Sequence, residues 1–395
     1  MRSEPGVPGR QGTVPLSVPE IGGNEWKYIK ECLDTNWVSS AGSFVDRFEE
    51  SLAAFVGSKF AVATINGTAA LHIALLIAGV KPDDEVLVPA LTFIAPVNAV
   101  RYVGAWPVFI DAEPNYWQMD PEKMAEFLKT ECRLENGSLI NKTSGRRVKA
   151  VLPVHLLGHP CDMDPIVATA RQYGLDIIED ATESLGSLYR DTMVGTFGDV
   201  ACFSFNGNKL ITTGGGGMIV TNNQEWAERA TYLTTQAKDD PIEYVHNEIG
   251  YNYRLNNIQA AMGVAQMEQI EGFIARKRAI AQGYEKGLGD FDQITLMPTQ
   301  PRTDPTYWLY TILLSPGTTL AQRQEMIRDL DERGVNVRPL WHPINSLPPY
   351  RECQSFQIEH ASRLYERALS LPSSAGLTND DLNRTISAVQ ESVSR

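Results

Sequence analysis

At 395 residues and 43% hydrophobic content the chain can bury a large core and a smaller second one, which excludes disorder as its default. A formal net charge of −13 excludes a general affinity for nucleic acid or anionic membrane, since both need a positive surface. Five scattered cysteines, Cys32, Cys132, Cys161, Cys202 and Cys353, with no CxxC pair among them, exclude a disulfide frame and a zinc site.

No apolar run reaches membrane-spanning length and the N-terminus has no apolar signal core, so a soluble, cytoplasmic protein is expected, with no metal. Residues up to about Gln11, rich in Gly, Pro and Arg, predict a mobile tail within segment 1–13. A helix is predicted over 23–35, and Ser43 is placed to cap a second over 44–55, which Gly57 ends. Between them Trp37-Val-Ser-Ser-Ala-Gly42 reads as an irregular connector carrying two hydroxyls, Ser39 and Ser40. Residues 60–64 then predict a strand and 69–78 a helix. The turn between them, Asn66-Gly67-Thr68, offers backbone N–H groups, a hydroxyl and the positive end of a helix dipole; it suits a phosphate, and equally an ordinary cap.

Strands over 84–89 and 106–111 flank a helix that ends near Gly104, which establishes the strand-helix-strand alternation of a doubly wound sheet. The polar stretch 131–147, with Asn136-Gly137 and Ser144-Gly145 as turn signals, reads as an exposed hairpin. Residues 148–154 return to the sheet and end at His155. That histidine can donate to a neighbouring acid, touch a bound ring, or be an ordinary core residue.

The chemistry concentrates in the next two strands. Leu175-Asp-Ile-Ile-Glu-Asp180 is an apolar strand ending in carboxylates, where open α/β sheets place ligand groups. Val200-Ala-Cys-Phe203 and Met218-Ile-Val-Thr221 are buried strands around Ser204-Phe-Asn-Gly-Asn-Lys209-Leu-Ile-Thr-Thr-Gly-Gly-Gly-Gly217. The glycine run lets backbone approach a ligand or another segment closely. A partly dehydrated lysine there loses its proton more readily than a solvated one and can form a Schiff base with an aldehyde. An amine paired with an acid is what pyridoxal phosphate needs, the amine for its aldehyde and the acid for its ring nitrogen, so Lys209 and Asp180 are the catalytic candidates.

A helix over 226–235 precedes Gly250-Tyr-Asn252-Tyr-Arg254-Leu-Asn256, and a single long helix is predicted beyond Asn256, past Arg276, breaking near Gly287. A strand over 307–314, a helix over 320–333, a strand over 335–338 and two amphipathic helices complete the chain. The loop Arg338-Pro-Leu-Trp341-His342-Pro-Ile-Asn345 is polar and aromatic.

Glu179-Asp180-Ala-Thr-Glu183-Ser, Ser204-Phe-Asn-Gly-Asn-Lys209 and Thr212-Thr-Gly-Gly-Gly-Gly217 resemble the motifs of the DegT/StrS nucleotide-sugar aminotransferases. The likeness runs from about Val14 to the C-terminus. The opening Pro15-Leu-Ser-Val-Pro, Gly23-Asn-Glu-Trp26 and Leu33-Asp-Thr-Asn-Trp37-Val-Ser-Ser-Ala-Gly42 are similar to the LegC-like branch. The resemblance implies an α/β chain of the aspartate aminotransferase type of PLP-dependent transferase fold. Residues 14–255 would form a large domain with a mostly parallel seven-stranded sheet between helices, 14–45 also lining the substrate pocket. Residues 256–395 would supply a long linking helix and a small C-terminal α/β domain.

By the same resemblance Gly67, Thr68, Ala69 and Ser204 hold the cofactor phosphate, Phe93 stacks on its ring, and His155 and Glu183 lie beside it. Asn252 reaches the phosphate of a neighbouring subunit in a homodimer. Ser39, Ser40, Trp341 and His342 face the substrate. The implied reaction moves an amino group, from L-glutamate, to a nucleotide-linked 4-keto-6-deoxy sugar, foremost a UDP-2-acetamido-4-keto-2,6-dideoxyhexose. GDP- and dTDP-keto sugars are the alternatives. A dehydratase of this fold typically carries His where this chain has Lys209, and a non-catalytic regulatory protein would tolerate loss of Lys209 or Asp180.

Overall fold

The computed structural model describes residues 12–240 and 242–394, so the expected mobile tail lies, as far as Gln11, outside the described residues. In chain order, α1 (Glu25–Asp34) and α2 (Ser43–Val56) precede β1 (Phe60–Thr64), α3 (Gly67–Ile77), β2 (Glu85–Pro89), α4 (Ile94–Tyr102), β3 (Trp106–Ile110) and α5 (Pro121–Glu131). A hairpin of β4 (Cys132–Glu135) and β5 (Ser138–Asn141) follows, then β6 (Val148–Val151), α6 (Met163–Tyr173) and β7 (Asp176–Asp180). Two short strands, β8 (Leu188–Tyr189) and β9 (Thr192–Met193), lead to β10 (Val200–Ser204), β11 (Gly217–Thr221), α7 (Gln224–Thr234), α8 (Asn257–Met267) and α9 (Ile270–Leu288). The last part holds β12 (Ile294–Leu296), β13 (Thr303–Asp304), β14 (Tyr310–Leu314), α10 (Leu320–Glu332), β15 (Arg338–Pro339), β16 (Ser355–Phe356), α11 (His360–Arg367), β17 (Ala368–Leu371) and α12 (Asn379–Val393).

The main sheet has the order β1-β11-β10-β7-β6-β2-β3-β16. Within it β11 is antiparallel to both neighbours, and the other pairings are parallel. Strands β2 and β11 are buried at every position because helices cover both faces of the sheet. One apolar core takes residues from α3, α4 and α7, and the other takes them from α2, α5, α6 and α8. A separate four-stranded antiparallel sheet, β12-β14-β17-β15, packs its own core against α9, α10 and α12. Among the described residues no helix is long and apolar enough to cross a membrane.

Five details differ from the sequence reading. The sheet has an eighth strand, β16, which pairs with the edge of β3 over two residues. Ser43 does not cap α2: Gly42 holds that position, and the Phe44 amide donates to Asn257 Oδ1 at 3.0 Å, so the cap is supplied from α8. The single long helix is two, α8 and α9, separated at Glu268–Gln269, where Gln269 Nε2 reaches Glu25 Oε1 (2.9 Å). Strand β14 starts at Tyr310, and Tyr307 takes a left-handed φ of 49° ahead of it. Val335, expected in a strand with Arg338, pairs instead with Val14.

Asp111, at the end of β3, ties this sheet to α11. Its carboxylate accepts the amides of Glu359, His360 and Ala361, each at 2.9 Å, and the Lys123 ammonium at 2.7 Å. Burial would raise its pKa, but the Lys123 ammonium and the three amides overcome burial and hold it below the usual aspartate value. This stabilisation is therefore present above about pH 4 and is lost as pH falls through the lowered value. Asp111→Ala, which leaves three amides without their acceptor and the Lys123 ammonium with only the Gln357 carbonyl, is expected to cost about 3–5 kcal/mol, read from the denaturant midpoint.

Candidate active site

Lys209 sits on the loop between β10 and β11, as the sequence places it. The ends of that loop are zipped by Phe205 N donating to Gly216 O and Thr213 N donating to Phe205 O, both at 2.9 Å. A Cβ on Gly217 would meet the Asn66 carbonyl at 2.6 Å and Gly67 N at 2.7 Å. The glycine run thus lets β11 cross directly over the start of α3, and the close approach is to chain.

The Lys209 side chain is 13% exposed, with Nζ 3.6 Å from Glu183 Oε1. The same Nζ lies 3.6 Å from the ring centroid of Trp308, a cation–π arrangement. Burial pushes the pKa of the amine below the ordinary lysine value, and Glu183 and Asp180 pull it partway back. Sequence reasoning missed Trp308. Its only signal was an aromatic inside the predicted strand 307–314, which reads as core.

Asp180 ends β7 beside Cys202 of β10 and is buried. Its Oδ1 accepts the Thr182 amide at 3.0 Å, and burial holds its pKa above the usual value. Glu183 is a turn further on. Its Oε2 accepts the Leu157 amide at 2.8 Å, and burial raises its pKa to about 7 against the opposing pull of Lys209. Glu183 is thus engaged with both the Leu157 amide and the lysine.

Glu183→Gln removes the largest charge favouring the ammonium form of Lys209. The amine should then be free at lower pH, and the pH profile for cofactor capture by the apoprotein, followed by visible absorption, is expected to move downward. An unmoved profile would mean that this carboxylate carries no charge in the working range.

The neighbour of Asp180 takes a wholly different position. Glu179 accepts the amides of Gly195 (2.8 Å), Phe197 (2.8 Å) and Gly198 (2.6 Å), and also contacts His155 Nε2 at 3.0 Å. His155 accepts the Cys161 amide on Nδ1 at 3.0 Å, so Nε2 carries the hydrogen given to Glu179. Both ring nitrogens are therefore occupied, and His155 is a satisfied core histidine; its side chain does not donate to Asp180.

At the other end of the site, Asn66 caps α3 by accepting the Ala69 amide at 2.8 Å. The amides of Gly67 and Thr68 stand at the helix start, where no carbonyl one turn back can take them. Ser204 lies directly alongside. A Cβ on Gly67 would come within 2.8 Å of its Cβ and 3.3 Å of Thr182 Cγ2. The helix start, the Ser204 hydroxyl and the turn after Asp180 therefore converge. Pyridoxal phosphate fits this donor set: an amine for the aldehyde, a buried acid for the ring nitrogen, and a helix N-terminus with hydroxyls for the phosphate.

The remaining sequence candidates are more dispersed. Phe93, 48% exposed, packs its ring 5.9 Å from that of Trp341, and Trp341 stacks on Trp308 at 6.2 Å and 10°. His342 is exposed and its Nε2 is 2.8 Å from the Tyr365 hydroxyl, so it is held by α11. Ser39 and Ser40 are exposed; the Ser39 carbonyl accepts the Asn257 amide at 2.6 Å, which fixes their segment. Asn252 is exposed on a stretch bridged to Thr235, and Arg254 next to it is bound by Glu49 (2.5 and 3.2 Å). The Arg254 guanidinium is thus held by an ion pair within the chain.

The family model described as the DegT/DnrJ/EryC1/StrS aminotransferase family matches residues 19–390. The chain is 40% identical over 379 residues to a GDP-perosamine synthase of Caulobacter vibrioides, covering 96% of this chain and 98% of that one. It is equally 40% identical over 379 residues to a GDP-perosamine synthase of Escherichia coli O157:H7, with the same coverage. Among solved structures, DesV of S. venezuelae superposes with a TM-score of 0.84 at 32% identity, covering 94% of this chain and 95% of that one. With nearly its whole length matched at this level, the chain belongs to the DegT/DnrJ/EryC1/StrS family of aminotransferases, enzymes that work with pyridoxal phosphate.

Proposed function

We propose that this aminotransferase moves an amino group from an amino acid, L-glutamate by the sequence reading, to a GDP-linked 4-keto-6-deoxy sugar in the cytoplasm. The observation that carries the nucleotide is the 40% identity, over 379 residues, to two proteins named GDP-perosamine synthase. Neither relative supports the UDP-linked 2-acetamido sugar expected from the LegC-like motifs; the GDP alternative takes its place.

When bound, the cofactor supplies an aldehyde that exchanges amines and a ring that stores the electron pair left on the donor's α-carbon. Lys209 Nζ, partly dehydrated and lowered in pKa, would take the proton from the donor's α-carbon and deliver it to the former aldehyde carbon on the other side of the shared nitrogen. Asp180 keeps a proton on the ring nitrogen. The amides of Gly67, Thr68 and Ala69 and the Ser204 hydroxyl orient the phosphate, although Ala69 N already serves Asn66 and contributes least. Phe93 covers the ring, and Glu183 holds Nζ between transfers. His155 acts through Glu179, as a support for β7.

A homodimer completes the site in this reading, with Asn252 facing the partner's phosphate and Ser39, Ser40, Trp341 and His342 lining the sugar-nucleotide side. Exposed apolar residues support a second copy as the occupant of this surface: Trp26, Leu33, Trp37, Ile242 and Ile249 are all solvent-facing in one chain.

The test is a mass-spectrometric screen with glutamate and 4-keto-6-deoxy sugars on GDP, UDP and dTDP. Conversion of ketone to amine is expected on the GDP sugar first. Preferential conversion of the UDP or dTDP sugar would overturn the nucleotide assignment and leave the transaminase intact.

A further inference from the structure

We propose that Trp308 is the residue that positions the Lys209 amine, through two contacts of a single indole. Its ring faces Nζ, with the centroid 3.6 Å away, and its Nε1–H donates to the carbonyl of Asn208, the residue before the lysine, at 2.6 Å. The face therefore acts on the side chain and the edge acts on the backbone that carries it. The inference rests on Lys209 being the amine that binds the cofactor.

The surroundings of Trp308 are built to hold it. The Asn208 carbonyl has a second donor, Ser17 Oγ at 2.9 Å. The Trp308 carbonyl accepts from Lys277 Nζ at 2.7 Å, and that buried amine also donates to the Ser373 carbonyl. The indole stacks nearly parallel on Trp341. Tyr307, just before it, is left-handed at φ 49°. Gly158 (φ +88°) packs so closely that a Cβ there would lie 2.6 Å from Trp308 N. Leu157, also left-handed at φ 61°, gives its amide to Glu183. Thus one turn, residues 157–158, sets both side chains that touch Nζ. Backbone held in sparsely populated regions costs of order 1–3 kcal/mol per residue and persists where its surroundings over-determine it. Here two such residues meet at the lysine's neighbours.

Two consequences separate the edge from the face. Loss of the N–H leaves the Asn208 carbonyl on Ser17 alone and loosens the loop without altering the charge balance at Nζ, whereas loss of the ring removes a stabiliser of the ammonium form. Glu183 and Asp180 are the charged groups that remain to act on Nζ.

The experiment follows capture of pyridoxal phosphate by the apoprotein, by visible absorption and by mass after borohydride reduction, across pH. The proteins are wild type, Trp308→Phe, Trp308→Leu and Lys209→Ala, each checked for fold by circular dichroism. Trp308→Phe is expected to capture about 3- to 10-fold more slowly with an unchanged pH midpoint, the range set by one net hydrogen bond. Trp308→Leu is expected to slow capture by about 30-fold and to shift the midpoint to lower pH. A midpoint in Trp308→Leu that stays or rises overturns the proposal, as does wild-type pace in Trp308→Phe, which decides the matter alone should the leucine variant not fold. Capture by Lys209→Ala at the same site would overturn the reading of Lys209 itself. Capture lost in Lys209→Ala yet unchanged in both Trp308 variants overturns this proposal only.

Discussion

Lys209→Ala is expected to fold, to carry no covalently attached cofactor, and to lose at least about 10⁴-fold in turnover, since attachment and proton transfer depend on one nitrogen. The fold should survive because the replaced group is a costly one to bury. Burial already depresses the pKa of this amine, so removing it relieves a desolvation cost. Its partner Glu183, whose pKa stands at about 7 even with the lysine present, will rise further and become neutral without an unpaired charge. The checks are absorption of the purified protein, mass after borohydride reduction, and single-turnover reaction with glutamate. Normal turnover in this variant would remove the basis of the proposed mechanism.

Asp180→Asn should separate what Lys209→Ala merges. Attachment of the cofactor is expected to persist, because Lys209 is untouched, while turnover falls by about 10²- to 10³-fold. That is the loss expected if the ring nitrogen's pKa drops by two to three units, each worth about 1.36 kcal/mol. Asparagine keeps the volume, and its carbonyl can still accept the Thr182 amide, so a packing defect is avoided. A bound but sluggish enzyme is the expected phenotype, with its activity recovering toward low pH where the ring regains its proton. Full activity in this variant at neutral pH would sink the assignment of Asp180.

The legible parts of the molecule were those governed by local pattern. The strands of the main sheet announce themselves as short apolar runs because both faces are covered, and the acid ends β7 while the lysine lies on the loop that leaves β10, beyond the strand ends where such sheets place ligand groups. What the sequence hid depends on partners far along the chain. Ser43 looks like a cap, yet Asn257, brought in on α8, does the capping. Neither Glu268 nor Gln269 breaks a helix by composition, and Gly272 lies inside the second helix; Gln269 turns toward Glu25. His155 follows its strand into contact with Glu179, and which of two adjacent carboxylates it meets is settled by the side of the sheet each faces. The two-residue strands β8, β9, β13, β15 and β16 are too short to leave a period of two. Trp308 reaches Lys209 from the start of the second sheet, a meeting no local pattern encodes.

The two neighbouring acids of β7 carry one more implication, for how the strand finds its alignment during folding. Successive residues of a strand point to opposite sides, so sliding β7 by one place would send Asp180 into the ring of amides at 195–198 and put Ala181 where Asp180 now stands. The shorter Asp180 could not span that ring, and several buried donors would go unmet. Glu179 therefore serves as a key against that slip, and the threading that seats it is the one that leaves Asp180 within the electrostatic reach of the lysine.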